Sequence, residues 1–187
     1  MPSPSLPYRL LRALERVSLV SGHGVSWLAL AMVLLMMAIV VLRYGFGYGN
    51  IALQEAVLYM HGALFMIGIA YTLARDEHVR VDIFYRRLST RGQALVNLIG
   101  TLVCLVPLAL LFLWLSWDYV LTSWARREGS PDAGGLPYLY VLKTLLLVMP
   151  VLLLNQGIVE LLRAWLTWRD PANPPPRGGE QEGQGWS

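Results

Sequence analysis

Four long stretches of this chain are almost free of charged residues, and no other feature of the sequence limits its fold as strongly. They cover roughly residues 25–42, 51–74, 94–117 and 138–162. A helix needs about 20 residues, within a range of 17–25, to cross the hydrocarbon core of a bilayer. All four stretches reach that length, and 56% of the 187 residues are hydrophobic. The sequence therefore predicts an all-α integral membrane protein with four transmembrane helices.

The first 24 residues, predicted to be a cytoplasmic N-terminus, contain a basic amphipathic segment ahead of span one. In residues 6–20, three apolar side chains share one helical face and three arginines share another: Leu10, Leu14 and Val17 against Arg9, Arg12 and Arg16. This pattern favours an amphipathic helix that lies in the membrane interface. The alternative is a straight cytoplasmic extension of span one.

The rest of the chain divides into a membrane domain and a tail. Residues 25–168 are predicted to form the four-helix transmembrane domain. No small-residue cleavage site follows the first span, so we expect it to be retained rather than removed as a signal peptide. Residues 169–187 are rich in proline and glycine, and this composition predicts a disordered tail.

The distribution of cations predicts the orientation of the spans. Eleven of the 15 lysine and arginine residues lie in the N-terminal segment, between spans two and three, or at the C-terminal end. Cytoplasmic loops carry the excess of lysine and arginine in membrane proteins. We therefore expect both termini to be cytoplasmic and the loop between spans three and four to lie on the opposite side.

A charged cluster between spans two and three raises the question of a catalytic or metal site. Six ionisable residues fall within eight positions: Arg75, Asp76, Glu77, His78, Arg80 and Asp82. In a helix His78 and Asp82 would stand one turn apart, but a catalytic metal normally has three protein ligands. No second histidine- or cysteine-rich segment on that side supplies the others. We interpret the cluster as a charged turn, and we expect neither a bound metal nor an enzymatic activity.

Haem is a second cofactor to consider, because small four-helix membrane proteins can hold it between two histidines. His61 is the one histidine deep in a predicted span. His23 lies at the inner end of span one, and His78 lies in the charged loop. The sequence therefore predicts no haem and no other cofactor, and we expect His61 to face the helix bundle.

Glu55 lies about one turn into span two from its outer end. An acid within a span usually faces a partner group or an aqueous path. One interpretation is a coupling carboxylate in a self-sufficient small four-helix exporter. The other is an interfacial acid paired with a cation, for which Arg43, Arg126 and Lys143 are the candidates.

Small and polar residues within the spans indicate helix packing. Alanines recur in span two with a spacing of largely seven residues, and such stripes let helix backbones approach closely in lipid. They are Ala52, Ala56, Ala63, Ala70 and Ala74. Pro107 removes a backbone donor and is expected to bend span three. Asn155 and Gln156 in span four could bind a polar substrate or hydrogen-bond to a neighbouring helix.

Several stretches together resemble one family. They are "RYGFGYGNIALQEAVLYMHGALFMIGIAYTLARDEHVRVDIFYRRLS", "SWDYVLTSW" and "GGLPYLYVLKTLLLVMPVLLLNQGIVEL". With the four-span plan, they resemble the small permease subunit of tripartite ATP-independent periplasmic (TRAP) transporters, the DctQ-like family. The most specific parts are "HVRVDIFY" and the "GLPYLY" run, with the lysine, proline and glutamine that follow it.

The resemblance implies positions for the family's subunit-interface or structural residues. It places polar positions of the cytoplasmic motif at His78, Arg80 and Asp82, and an acid near the start of span two at Glu55. It places the entry to span four at Gly135, Leu136, Pro137 and Lys143, and a further polar position at Gln156. Arg43 at the end of span one is the remaining candidate.

The resemblance also implies a function in the bacterial inner membrane. The small subunit would scaffold a larger permease subunit (DctM-like) that carries the substrate and sodium sites. A periplasmic binding protein would deliver an organic anion to the complex for sodium-coupled uptake. Membrane lipid would surround this chain, and nucleic acid is not an expected partner.

Overall fold

The computed structural model describes residues 6–75, 85 and 88–176, and in that part of the chain the regular structure is helical. Four continuous helical stretches are long and apolar enough to cross a membrane, which confirms the predicted four-span, all-helical fold. The helices are α1 Leu6–Phe46, α2 Ile51–Ala74, α3 Thr90–Gly100, α4 Val106–Arg126 and α5 Leu139–Arg169. The π-helical segment Thr101–Leu105 joins α3 to α4, so the three form the third span.

The helices extend beyond three of the four charge-poor stretches. α2 coincides with residues 51–74, whereas the third span runs Thr90–Arg126 and α5 runs Leu139–Arg169. Charge-free sequence marks the hydrocarbon core, but a helix can continue into the headgroup region as long as its backbone hydrogen bonds continue. Residues 76–84 and the tail from residue 177 lie outside the described residues.

α1 is one unbroken helix of 41 residues, so the basic N-terminal segment extends span one. At 1.5 Å per residue it is about 60 Å long, roughly twice the thickness of the hydrocarbon core. The prediction of a separate interfacial helix is wrong here, and its alternative, the straight extension, is what the structure shows. The extension is held because Leu11, only 2% exposed, packs against Val159 and Leu166 of α5.

The buried face of this extension differs from the predicted apolar face. Leu11, Glu15 and Ser18 are buried, whereas Leu10 and Val17 are about half exposed. The buried residues stand at i, i+4 and i+7, the spacing of one helical face. The apolar pattern missed this face because one of its members is a glutamate.

α5 is the central helix of the bundle. It packs against α1, α2, α3, the π-helical segment and α4, and α1 and α2 also pack against each other. A third of the most apolar window of α5 is buried (33%), against 6–11% for the other spans. The position of α5 therefore sets the positions of the other helices.

Small residues allow the close approaches between helices. Ala70 and Ala74 of α2 are fully buried, as the alanine stripe predicts. A Cβ atom on Gly22 of α1 would lie 2.2 Å from the ring of Tyr71, and one on Gly157 would lie 2.8 Å from Leu105 Cδ2. These contacts exist because the two positions carry no side chain.

The π-helical segment stands one turn before Pro107. The Val106 amide donates to the Thr101 carbonyl, five residues back, instead of following the usual α-helical pattern. Proline cannot donate to the preceding turn, and its ring crowds the carbonyl four residues back. A wider turn ahead of Pro107 relieves that crowding, and single π turns of this kind are known to interrupt α-helices.

The contact between Gly22 and Tyr71 predicts that alanine substitutions at two nearby glycines of α1 differ strongly in their effect on stability. Gly22→Ala places a methyl group inside the Tyr71 ring and should destabilise the protein by about 1–3 kcal/mol. The matched control is Gly24→Ala, because no atom lies within 4 Å of its Cβ position. This control should be neutral or stabilising by up to about 1 kcal/mol. Thermal unfolding of both variants in detergent measures the difference, and equal stability would contradict the packing.

Candidate functional site

Glu55 holds the loop between α4 and α5. Helix α2, which carries Glu55, is capped at its start by Asn50, whose side-chain oxygen accepts a hydrogen bond from the Leu53 amide at 3.2 Å. One turn later, the Glu55 carboxylate accepts a hydrogen bond from the Ser130 hydroxyl on Oε1. It accepts the Leu136 amide on Oε2 at 2.6 Å. We call this arrangement of Glu55, Ser130, Gly135 and Leu136 the loop clasp.

Gly135 belongs to the loop clasp because its backbone lies directly against the two oxygen atoms. A Cβ atom at this position would lie 2.4 Å from Ser130 Oγ and 2.7 Å from Glu55 Oε1. The Ser130 amide donates to the Leu136 carbonyl at 3.0 Å, which closes the loop on itself. The clasp therefore fixes the shape of the loop through a residue of α2, which is distant in sequence.

Glu128 and Lys143 form an ion pair that also holds the same loop, and we call this pair the Glu128 fastening. Lys143 Nζ lies 2.5 Å from Glu128 Oε2, and the Ser123 hydroxyl donates to the same oxygen at 2.7 Å. The Lys143 ammonium also lies 4.1 Å from the centroid of the Tyr119 ring, an energetically favourable cation–π position. The hydrogen bonds from Lys143 and Ser123 hold the pKa of Glu128 below its usual value.

The structure corrects the predicted partners of Glu55. None of the three candidate cations forms an ion pair with this acid in the described residues, because Lys143 is taken by Glu128. Arg43 and Arg126 are exposed at the ends of α1 and α4. The physical reason is that the α4–α5 loop folds back over α2 and supplies an amide and a hydroxyl as neutral donors.

A second polar group lies at the opposite end of the bundle, between α1 and α5. Arg163 donates to Glu15 Oε1 of α1 at 2.5 Å and to Glu160 Oε1 at 2.8 Å. Gln156, fully buried, donates to the same Glu160 oxygen at 3.3 Å. We call these four residues the buried ion cluster, and its three charged members are 4–5% exposed.

The buried ion cluster was not predicted, because Arg163 is one of the C-terminal cations that were counted only toward the orientation of the spans. A signal was present, because Gln156, Glu160 and Arg163 stand four and three residues apart on one helical face. No equivalent signal marked Glu15, whose burial depends on the extension of α1. Asn155 adds a bond from α5 to α1, donating to the Leu14 carbonyl at 3.0 Å. The predicted hydrogen bond to a neighbouring helix is therefore confirmed for Asn155.

The predicted site residues fall into separate places in the fold. The structure brings Glu55, Gly135 and Leu136 together in the loop clasp. Lys143 lies beside them in the Glu128 fastening, and the Pro137 backbone packs against Gly129. Gln156 lies at the other end, and Arg43 contributes to neither group. His78, Arg80 and Asp82 lie outside the described residues. The proposed subunit-interface role of these residues stays a prediction.

Two histidines, His23 and His61, lie within the described residues. His61 is exposed on α2, so the prediction that it faces the helix bundle is wrong. The faces of α2 that pack are lined by its alanines, and they leave His61 on the opposite side. His23 packs edge-on against the Tyr71 ring, with centroids 5.4 Å apart. Among the described residues, no group of three or more histidine, cysteine, aspartate or glutamate side chains could hold a metal ion.

One groove of the described bundle has a volume of about 580 Å³ and lies between α2, the third span and α5. Its walls are mostly apolar and include Cys104 and Phe112. Three polar side chains, Asn97, Thr101 and Glu160, also line it. A smaller polar cavity of about 480 Å³ lies beside the α4–α5 loop and includes Asp118, Arg126 and Lys143 among its lining residues.

These features define a multi-pass helical membrane protein whose described polar clusters fasten helices and a loop to one another. Its family follows from sequence comparison. The chain belongs to the DctQ component family of the tripartite ATP-independent periplasmic transporters, whose model matches residues 32–167. This confirms the resemblance seen in the sequence. The family is a transporter component and not an enzyme class.

One relative illustrates the relationship. The chain is similar to a protein of Haemophilus influenzae assigned as a TRAP transporter small permease protein, with 30% identity over 116 residues. The alignment covers 61% of this chain and 70% of that protein. No solved structure matches the chain significantly.

The buried ion cluster predicts a strong effect of Arg163→Gln. Removing the cation leaves the Glu15 and Glu160 carboxylates buried without it, and breaking a buried ion pair costs about 3–5 kcal/mol. Arg16→Gln is the matched control, because this exposed neighbour of Glu15 should change stability by no more than about 0.5 kcal/mol. Chemical or thermal unfolding in detergent measures both. A similar small effect of the two substitutions would contradict the importance of the cluster.

The lowered pKa of Glu128 predicts a pH-dependent contribution of the loop. Because the folded state favours the carboxylate, this contribution is complete above the ordinary pKa of 4.5 and is lost as the pH falls through the lowered folded-state pKa. Wild type should therefore be more stable than Glu128→Gln at pH 7, and the difference should shrink below pH 4.5. Unfolding curves of both proteins across this range test the sign. A difference that does not vary with pH would contradict it.

Proposed function

We propose that this chain is the small membrane subunit that braces the large permease subunit of a TRAP transporter. The complex takes up an organic anion with sodium across the bacterial inner membrane, and a periplasmic binding protein delivers the anion. In this proposal the small subunit carries neither the substrate nor the sodium. It supplies a fixed helical surface against which the large subunit works.

The main support for this proposal is the exposed face of α2. His61 lies near the middle of α2, on the same exposed stripe as Gln54, Leu58 and Phe65. Ionisable residues within spans almost always face protein or a water-filled cavity, because lipid offers them no hydrogen bonds. Since His61 faces away from the chain's own helices, a second protein is the natural cover for this stripe. A large permease subunit fits that requirement.

The loop clasp supports a structural role for Glu55. Both carboxylate oxygens accept hydrogen bonds from the α4–α5 loop, and one donor is a backbone amide. A coupling carboxylate must exchange its partners for a proton or cation during every cycle. In this protein such an exchange would release the loop, so a clasp suits a static subunit better than an exporter.

The same loop is suited to contact with a periplasmic binding protein. The charge distribution predicts that the loop faces the periplasm, and two fastenings hold it in one shape. Gly135, Leu136 and Lys143 contribute to those fastenings, which gives the positions implied by the family a physical role. The polar cavity beside Asp118 and Arg126 lies on this side. We propose that this region forms part of the docking surface.

The alternative function is a self-sufficient small exporter coupled through Glu55. The intramembrane position of an acid favours it, because acids in spans often belong to proton or cation pathways. The two functions predict opposite results when the chain is reconstituted without any partner.

Reconstitution separates the two functions. The chain alone in liposomes should transport nothing, whereas the chain with its large subunit and binding protein should take up a radiolabelled organic anion under a sodium gradient. Glu55→Gln should keep most uptake per assembled complex, because Gln retains the shape of the side chain. It should lower stability by about 1 kcal/mol, because Gln has one acceptor oxygen where the carboxylate has two, so one of the two loop donors loses its acceptor.

The matched control is Asp170→Asn, which removes an exposed acid at the opposite end of the bundle, away from the proposed docking surface. Uptake is normalised to the amount of complex recovered by size-exclusion chromatography. Transport by the chain alone would refute the scaffold function. So would a loss of uptake per complex in Glu55→Gln with normal uptake in Asp170→Asn.

A further inference from the structure

A small apolar pocket lies between α3 and α5, at the end of the bundle where the described chain begins and ends. Its volume is about 260 Å³. The lining residues are Ala94, Leu95 and Leu98 from α3, and Ala164, Trp165 and Trp168 from α5. It is separate from the larger groove, since the two have no lining residue in common.

The position of the two tryptophans places the pocket at the edge of the membrane. Trp165 and Trp168 occupy the last turns of α5 and are 40% and 57% exposed. Tryptophan is enriched where the hydrocarbon core meets the headgroups, because its ring is apolar and its N–H is polar. The apolar walls of the pocket therefore lie at acyl-chain depth, and its mouth lies at headgroup depth.

Each of the two helices carries an arginine within one turn of the residues that line the pocket. Arg91 is in the first turn of α3 and stands three, four and seven residues before Ala94, Leu95 and Leu98, on the same helical face. On α5, the Arg169 guanidinium lies 5.2 Å from the centroid of the Trp165 ring. Both arginines are exposed. Asp170 follows Arg169, and its carboxylate accepts a hydrogen bond from Asn173 at 3.2 Å.

We propose that this pocket binds an anionic glycerophospholipid. The acyl chain lies between α3 and α5 against the two tryptophans, and the phosphate lies between Arg91 and Arg169. Basic pockets between transmembrane helices recognise anionic headgroups through this combination of apolar walls and cations. The binding leaflet is the cytoplasmic one if the orientation predicted from the charge distribution holds.

The larger groove between α2, the third span and α5 has more than twice the volume of this pocket, but its lining is less suited to an anionic headgroup. Glu160 lines it, and a carboxylate disfavours an anionic headgroup. The nearby Arg163 already donates to Glu15 and Glu160 in the buried ion cluster. Charge complementarity therefore selects the smaller pocket for a phosphate group.

Native mass spectrometry of the detergent-purified full chain tests the proposal. Phosphatidylglycerol and phosphatidylcholine with identical acyl chains are titrated separately, so that the headgroup is the single variable. Wild type should prefer phosphatidylglycerol, and Arg91→Gln/Arg169→Gln should lose roughly thirtyfold in affinity for it. Phosphatidylcholine binding should change little in the same variant, because its net charge is zero.

The control is Arg12→Gln/Arg16→Gln, which removes two exposed arginines from α1 at the same end of the bundle. This variant should keep the preference for phosphatidylglycerol. Leu95→Trp, which fills the pocket from its exposed wall, should weaken binding of both lipids. Thermal unfolding checks that each variant is folded.

Three results would overturn the proposal. One is equal affinity of the wild type for the two lipids. Another is an equal loss in the two double variants, which would indicate general charge attraction instead of a site. The third is release of bound phosphatidylglycerol when the large permease subunit is added, together with failed assembly of Arg91→Gln/Arg169→Gln. That result would make the pocket a protein contact, and it leaves the proposed scaffold function intact.

Discussion

Lipid cannot supply hydrogen bonds, so polar groups within a span need their partners inside the protein. In this chain, two groups of strongly polar side chains that have such partners lie toward the two ends of the bundle. At one end the Glu55 carboxylate is satisfied by a loop that folds back over α2. At the other end Arg163 donates to carboxylates on α1 and α5. Between these two ends the helices pack mainly through small and apolar side chains.

The two polar ends act on the same central helix. α5 carries Lys143 at one end and Gln156, Glu160 and Arg163 toward the other, so both fastenings fix its position along the bundle. Directly after Gln156, Gly157 lets α5 approach Leu105 in the π-helical segment. The wider turn ahead of Pro107 therefore lies where the third span meets the central helix. A helix fixed in this way at both ends is suited to a subunit that stays still while a partner moves.

How much of this could be predicted from the sequence depends on the range of the interactions. The four spans followed from composition alone, because span length is set by the bilayer. Glu55 and the "GLPY" entry to span four were recognised separately, but their meeting was not predictable since 81 residues separate Glu55 from Leu136. The N-terminal part of α1 was wrongly predicted to be a separate interfacial helix. Its buried face contains Glu15, and an apolar pattern does not reveal that a glutamate is buried against an arginine of another helix. His61 was placed on the wrong face for a related reason: a single polar residue does not show which side of a helix is covered.

The exposed polar features of the bundle differ in charge and depth, and this difference separates the partners that each can accept. His61 lies near the middle of α2 among apolar neighbours, at a depth that a lipid headgroup does not reach. A protein surface can offer it a hydrogen bond there. Arg91 and Arg169 lie in the terminal turns of α3 and α5, where the two tryptophans of α5 indicate the depth of the headgroups. A partner subunit on the first surface and an anionic lipid on the second can therefore bind the same bundle at once, because the two sites lie on different helices and at different depths.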